Sequence, residues 1–566
     1  MPSSSERSDD YPYDLGGHRR GVTTPSAEAQ RWFDRGLNWC FGYHHGEAIA
    51  CFEQALRHDP GCSMARWGIA LALGPTYNKP WSAFDARERR DAVARARAEI
   101  EAASRAADAG TPVEQALVRA IAQRYPQSVT AADSKAWDAA NDAYAQAMRE
   151  VHTRFADDLD VKALFVEALL VRTPSGLWDI RTGEPAQGAD TAEAREVLEH
   201  AFVSAASGDA SARRHPGLLH MYLHLMEMSP RPEQALWAAD VLRDLVPDAG
   251  HLRHMPSHID VLCGDWQAAV RANDRAIAAD RKYLEAAGPL NFYSLYRCHD
   301  YHLKIHALMM QGRAAAALAT ADEMATTLPI ELLLIDRPPM ADWLEGYLSI
   351  KQHVLIRFGR WQEIILAPLP DEPELFAVTT AMQLYAKAVA HAAEGDVAAA
   401  KRQQAAFRVA RTIVPPTRSI GTSPCTAILE VADAMLDGEL DYRSGNHARA
   451  FAALRRAVVL QDALPYDEPW GWMLPTRHAL GALLLEQGHV AEAEAAYRAD
   501  LGLDRSLPRG RWHPDNLWSL HGLHECLAAR GDPAAGLVEQ RLRIALARAD
   551  VAIGASCYCR GAAVRN

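Results

Sequence analysis

S-G-N-H-A-R-A, from Ser444 to Ala450, is a glycine turn that runs straight into an alanine-rich helix, and the chain uses this device again and again. Comparable starts stand at Gly264-Asp265-Trp266 with Ala268, Gly312-Arg313 with Ala316, Gly395-Asp396 with Ala399, Gly488-His489 with Ala493 and Gly531-Asp532 with Ala535. Glycine supplies the tight turn between two helices, and the alanine lets them approach. Earlier in the chain, A-I-A-C-F-E-Q-A-L-R-H-D-P places Ala48, Phe52 and Ala55 on one helical face before Asp59-Pro60 stops the helix. The next helix, from Ser63, carries Ala65, Trp67, Gly68 and Ala72, small residues that permit close contact. Helical periodicity dominates from Ser26 onward, which predicts an all-α fold.

On these turn-and-helix units the chain resembles the tetratricopeptide repeat family, whose unit is a pair of antiparallel helices with small residues at the crossing. The resemblance implies a right-handed α-solenoid with a concave face. The intervals 445–488 and 488–531 are each 43 residues, longer than the family's usual length of about 34, so longer helices or loops must fill the difference. The organisation expected is a polar arm over residues 1–25, an N-terminal solenoid half over 26–368 and a C-terminal half over 369–550, with a tail over 551–566. The boundary falls at the rigid connector L-P-D-E-P-E from Leu369. Residues 82–128 are expected as a charged hairpin outside the catalytic face, and the loop around Thr173 to Thr191 either covers a pocket or connects helices.

At 566 residues, 49% hydrophobic and 23% charged, with a formal net charge of -12, the chain reads as folded. No basic stripe offsets the negative balance, which argues against a nucleic-acid partner. The opening M-P-S-S-S-E-R-S-D-D has no basic region leading into an apolar core, and no apolar run approaches a membrane span; the cytoplasm is the default location. Nine scattered cysteines do not describe a disulfide scaffold, and Cys557 and Cys559 are expected to be unremarkable thiols.

Chemistry concentrates elsewhere. Nine of the 23 histidines lie between His215 and His306. In L-L-H-M-Y-L-H-L-M-E, His220, His224 and Glu227 share one helix face. H-L-R-H-M-P-S-H carries His251, His254 and His258 around Pro256, which fits the first turn of a helix. Y-R-C-H-D-Y-H-L-K-I-H spaces His299, His302 and His306 by three and four. Three successive helical segments with stacked imidazoles are expected to turn them into one pocket. Neutral imidazole suits zinc, copper, nickel or iron, so a divalent ion is expected, zinc or copper first and iron as a further option. His220, His224, His254, His258, His299 and His302 are the candidate ligands. Glu227, His251 and Arg477 are the candidate catalytic groups, with Glu227 a fourth ligand or a water-orienting base. No H-E-x-x-H motif is present. An anion pocket lined by His and Arg is the rival reading of the same residues.

His45 and Glu47 could rim that pocket or cap a helix. In the C-terminal half, Tyr466, Glu468, Trp472, Trp512, Asn516 and His521 combine aromatic planes with polar heads near loop mouths, the composition of a small-molecule recess. Taken together, the stretches Gly217 to Glu227, Ala249 to His258 and Tyr466 to Pro469 resemble a group of bacterial tetratricopeptide-like proteins sharing A-G-H-L-x-H-M-P-S-H; the resemblance implies no particular reaction. Three functions follow as expectations: a metal-dependent enzyme on a small organic molecule, acting by water activation, Lewis acidity or, with copper or iron, redox chemistry; a scaffold holding a peptide or protein partner; or a metal-binding protein without catalysis.

Overall fold

The computed structural model describes residues 11–125, 134–205 and 211–560. Residues 1–10 of the expected arm, 126–128 of the charged hairpin and 561–566 of the tail lie outside them. The chain is an all-α solenoid of antiparallel helix pairs, among them Ala27–Phe41 with His45–His58, Ala377–Ala393 with Val397–Ala410, Cys425–Arg443 with His447–Asp462, and Thr476–Glu486 with Val490–Asp500. The six glycines at the repeated turns all have positive φ, from 65° at Gly531 to 88° at Gly395, a conformation that an L side chain seldom adopts.

Other glycines act through their missing side chain. A Cβ on Gly36 or on Gly68 would stand 2.5 or 2.6 Å from the Phe52 ring, and one on Gly481 or Gly522 would stand 2.5 or 2.1 Å from Tyr497. In both places the second helix of a pair wedges an aromatic ring between glycines of the flanking helices. The extra length of the repeats goes into loops. After the His447–Asp462 helix the chain runs irregularly to Thr476, and after Val490–Asp500 it does so again to Leu517, apart from a single turn at Arg509–Arg511.

Buried side chains form one core from Leu15 to Tyr296 that also takes in Tyr466, a second from Val261 to Trp518 and a third from Tyr442 to Cys559. The second core runs through the Leu369 connector, because Ile350 and Val354 pack with Ala377, Val378 and Ala381 on its far side. Gln383 and Lys387 also donate to the carbonyls of Pro368 and Ile365, each at 2.6 Å. The connector itself is exposed, while the helices on its two sides share one core.

The described part of the arm is fastened down. Leu15 is buried, and Arg20 pairs with Asp158 at 2.8 Å and Asp160 at 3.0 Å. The loop after Thr173 forms a short hairpin, Trp178–Asp179 against Glu184–Pro185, whose Trp178 indole donates to the Leu225 carbonyl at 2.7 Å. Cys557 and Cys559 are joined in a disulfide, so the expectation of two lone thiols is corrected. Among the described residues no helix is long and apolar enough to cross a membrane.

Candidate metal centre

Two prolines and two glycines set the imidazole-bearing segments. Pro216 and Pro256 each open a helix at its first turn, Pro216–Glu227 and Pro256–Cys263, where a missing N–H costs nothing. A Cβ at Gly217 would meet the Phe41 ring at 2.6 Å, and one at Gly250 would meet Asp280 Oδ1 at 1.9 Å. These glycines let the Pro216–Glu227 and Gly250–His254 helices press against their neighbours, which brings the rings together.

His220, His224 and His251 form one triad, and His254, His258 and His299 a second; within each, one ring nitrogen per residue lies within 4.8 Å of the other two. The triads adjoin, with ring centroids 6.1 Å apart from His251 to His254 and 6.4 Å from His224 to His258. All six are buried except His299, which keeps some exposed surface.

Hydrogen bonding fixes which nitrogen faces inward. His220 Nδ1 donates to the Phe41 carbonyl at 2.6 Å and His254 Nδ1 to Asn273 Oδ1 at 2.6 Å. His224 and His258 set Nδ1 against the two oxygens of Glu227, at 3.1 and 2.7 Å, and donate to both where Glu227 is ionised. A ring that donates from Nδ1 presents a bare lone pair at Nε2. The Nε2 atoms of His220 and His251 are 3.1 Å apart, those of His254 and His258 2.8 Å, and those of His258 and His299 3.4 Å, while His224 Nε2 has no partner. Two imidazole nitrogens on one tetrahedral ion, each about 2.0–2.1 Å from it, would stand about 3.3 Å apart.

Charge balance points the same way. Burial holds His220 down to about 3 and His224, His251, His254 and His299 well below the usual imidazole range, so these rings are neutral. Burial pushes Glu227 and Glu468 well above the usual carboxylate range and Asp467 up to about 6. Among the described residues no lysine or arginine forms an ion pair with any of these three acids. A cation at the triads would favour the ionised form of these acids.

The geometry reassigns several candidates. Glu227 meets His224 with one oxygen and His258 with the other, so it would position both rings. His251 sits within the first triad as a ligand-type ring. His302 lies one turn beyond His299, edge-on to Tyr347 at 5.4 Å, and joins neither triad. Arg477 is held by Asp462 through two contacts of 2.7 Å, which keeps it out of the centre.

From the C-terminal half, Tyr466 donates to the Glu227 carbonyl at 2.8 Å and Glu468 lies 3.7 Å from His258 Nδ1. The other residues expected there are elsewhere: Trp472 packs on His353 and Tyr385, Trp512 lies over Gly502, Asn516 caps the Leu517–Ala529 helix, and His521 faces Glu525. Glu47 stays in the first turn of the His45–His58 helix, where His44 accepts its N–H at 3.4 Å.

Tyr43 was not visible as a site residue. It stacks on His224 and His251 at 5.9 and 5.6 Å, and its backbone holds φ 55°, uncommon for a bulky residue and a store of strain. Tyr43 also lines a cleft of 480 Å³ together with, among others, His45, Lys79, Glu88, Phe292 and Tyr296. Glu88 belongs to the Ala86–Ala106 helix, so the charged hairpin expected outside this face forms one wall of it.

Two further groups lie close enough to hold an ion: Glu227, His258 and Glu468 adjoin the second triad, and His18, Asp160 and His215 read as structural. His215 Nδ1 accepts the Leu218 N–H as a helix cap, which leaves Nε2 as the donor to Asp160 at 3.1 Å.

No family model and no curated protein matches the chain. Among solved structures it is similar to the yeast Tom70, at 10% identity over 92% of this chain and 93% of that one with TM-score 0.25. It is similar to Naa15/Naa10 bound to HypK-THB, at 13% identity over 92% and 78% with TM-score 0.21. It is also similar to the APC/C hetero-tetramer Cut9-Hcn1, at 14% identity over 93% and 95% with TM-score 0.24. Superpositions this loose carry no argument about function.

Proposed function

We propose that the protein binds divalent metal through its two imidazole triads, as a two-ion centre of copper or zinc, and that this centre acts on a small organic molecule. The observation that carries the reading is the donor census: with His254 Nδ1 committed to Asn273 and His258 Nδ1 to an ionised Glu227, their Nε2 atoms 2.8 Å apart have no proton between them. Mutual repulsion of bare lone pairs in a dry interior is costly unless a cation sits between them. An all-imidazole set suits copper and zinc, while Glu468, whose Oε1 is unpartnered beside His258, could complete a mixed set that also admits iron. Zinc there would activate water or polarise a carbonyl, and a copper pair would support redox chemistry. The 480 Å³ cleft that Tyr43 lines is large enough for a small substrate.

Elemental analysis of untagged protein tests this. Two ions per chain are expected, falling to one in His220→Ala plus His224→Ala and to one in His254→Ala plus His299→Ala. A chain that folds and holds no metal would leave the peptide-binding scaffold, which the helix-pair architecture favours taken alone.

A further inference from the structure

A cavity of about 150 Å³ is enough to hold benzene, and the cleft lined by Tyr43, Phe84, Phe292, Tyr293 and Tyr296 measures 480 Å³. Two hydrogen-bond acceptors on its lining lack a partner, Glu88 Oε2 and Asn291 Oδ1, both buried. Asn291 Nδ2 donates to the Gly288 carbonyl at 2.7 Å, which fixes the oxygen as the free end of that amide. The remaining unpartnered lining atom, His44 Nε2, belongs to a ring enclosed by Tyr283 and Tyr293, whose centroids stand 4.3 and 3.9 Å away. Buried acceptors without a donor are costly, and a ligand that brings an O–H or N–H recovers that cost.

The charges on the lining are already matched. Lys79 pairs with Glu88 and sets its ammonium 4.2 Å from the Phe84 ring centre and 4.1 Å from that of Phe292. Arg95 pairs with Glu53, and Asp91 stands 3.6 Å from Arg87. A charged ligand of either sign would therefore meet like charge beside its counter-ion. The cleft asks for a neutral molecule with a flat ring and a donor. The acidic O–H of a phenol makes a strong bond to a carboxylate without bringing a charge.

We propose that the cleft takes a neutral monocyclic phenol, its ring among the aromatic walls and its hydroxyl donating to Glu88 Oε2 or Asn291 Oδ1. This names a substrate class for the imidazole centre and rests on the reading of the cleft as its substrate recess.

Phenol binding is measured by calorimetry on chelator-treated full-length protein, with anisole as the analogue that lacks the donor and benzoate as the charged one. Working without metal separates the cleft from the metal centre, whose own test is the ion count. Phenol is expected to bind once per chain, with anisole and benzoate each at least about tenfold weaker, the discrimination expected of a charge-assisted contact. Phenol's advantage over anisole should fall in Glu88→Leu or in Asn291→Leu, and Phe292→Ala should weaken both ligands alike. His220→Ala plus His224→Ala should leave phenol binding unchanged. Where one cleft variant fails to fold, the other and the phenol to anisole ratio of the unaltered chain decide. Equal binding of phenol and anisole, benzoate as tight as phenol, no saturable phenol binding at millimolar concentration, or an advantage that survives in both leucine variants would each overturn the assignment.

Discussion

Replacing Glu227 with glutamine tests the centre where its logic is tightest. The carboxylate accepts N–H from two histidines, His224 at 3.1 Å and His258 at 2.7 Å, one in each triad. An amide has one oxygen and one NH2. Whichever ring meets the NH2 must turn Nδ1 into an acceptor and move its own proton to Nε2, which removes that lone pair from the triad. Loss of such an orienting partner lowers metal affinity about 10–100-fold, or about 1.4–2.7 kcal/mol. The sign for the metal-free protein is opposite. Burial already disfavours the ionised Glu227, so a neutral isostere should leave the apo melting temperature unchanged or raise it. Competition titration against a chelator of known affinity, with melting curves of both forms, reads both signs. Glu227→Gln that binds metal as tightly as the unaltered chain would refute the tautomer argument, and one that melts far lower without metal would show that Glu227 serves packing.

Further outcomes are expected. Gly522→Ala should destabilise the chain by up to about 2 kcal/mol in urea, because overpacking costs about 1–3 kcal/mol against a helix-propensity gain of about 1 kcal/mol, and its Cβ would sit 2.1 Å from Tyr497. Gly536→Ala, with open space around it, should gain stability instead. Burial holds His353 down to about 3, so as pH falls below about 6.5 the unfolded chain takes up a proton that the native chain refuses, and stability falls by about 1.4 kcal/mol per pH unit. His353→Gln removes that slope, and its unfolding free energy relative to the unaltered chain should improve by about 2.5 kcal/mol between pH 6.5 and 4.5; a constant difference would contradict the burial of a neutral ring.

The turns and the pairing of helices were legible because they depend on residues next to one another: Gly445, Gly488 and their counterparts all take the left-handed backbone that the glycine implies. Helical spacing also placed His220 with His224 and His254 with His258, since one turn of helix fixes those neighbours. It did not say that His251 joins the preceding helix's pair, or that His299 and not His302 completes the other triad. Those choices depend on how the Ser294–Met310 helix is rotated against the Pro256–Cys263 segment. The partners that set the tautomers, the Phe41 carbonyl and Asn273, come from helices whose own sequences carry no metal-like signal. Arg477 and Asn516 misled because a polar head near a loop mouth is equally well spent on a local acid, here Asp462 and Asp500.

The surplus length of the repeats acquires a physical role at this point. A helix pair needs only a short turn, yet the chain spends Ala463 to Pro475 on an irregular excursion after the His447–Asp462 helix. That excursion carries Tyr466 into the N-terminal core, where it alone represents the C-terminal half, and sets Glu468 beside His258. Glu227 and Glu468, the two acids beside His258, thus arrive from opposite halves of the solenoid. Shortening the excursion to an ordinary repeat turn should spare the helix pairs while exposing His258 to water, and with it the tautomer on which the second triad depends.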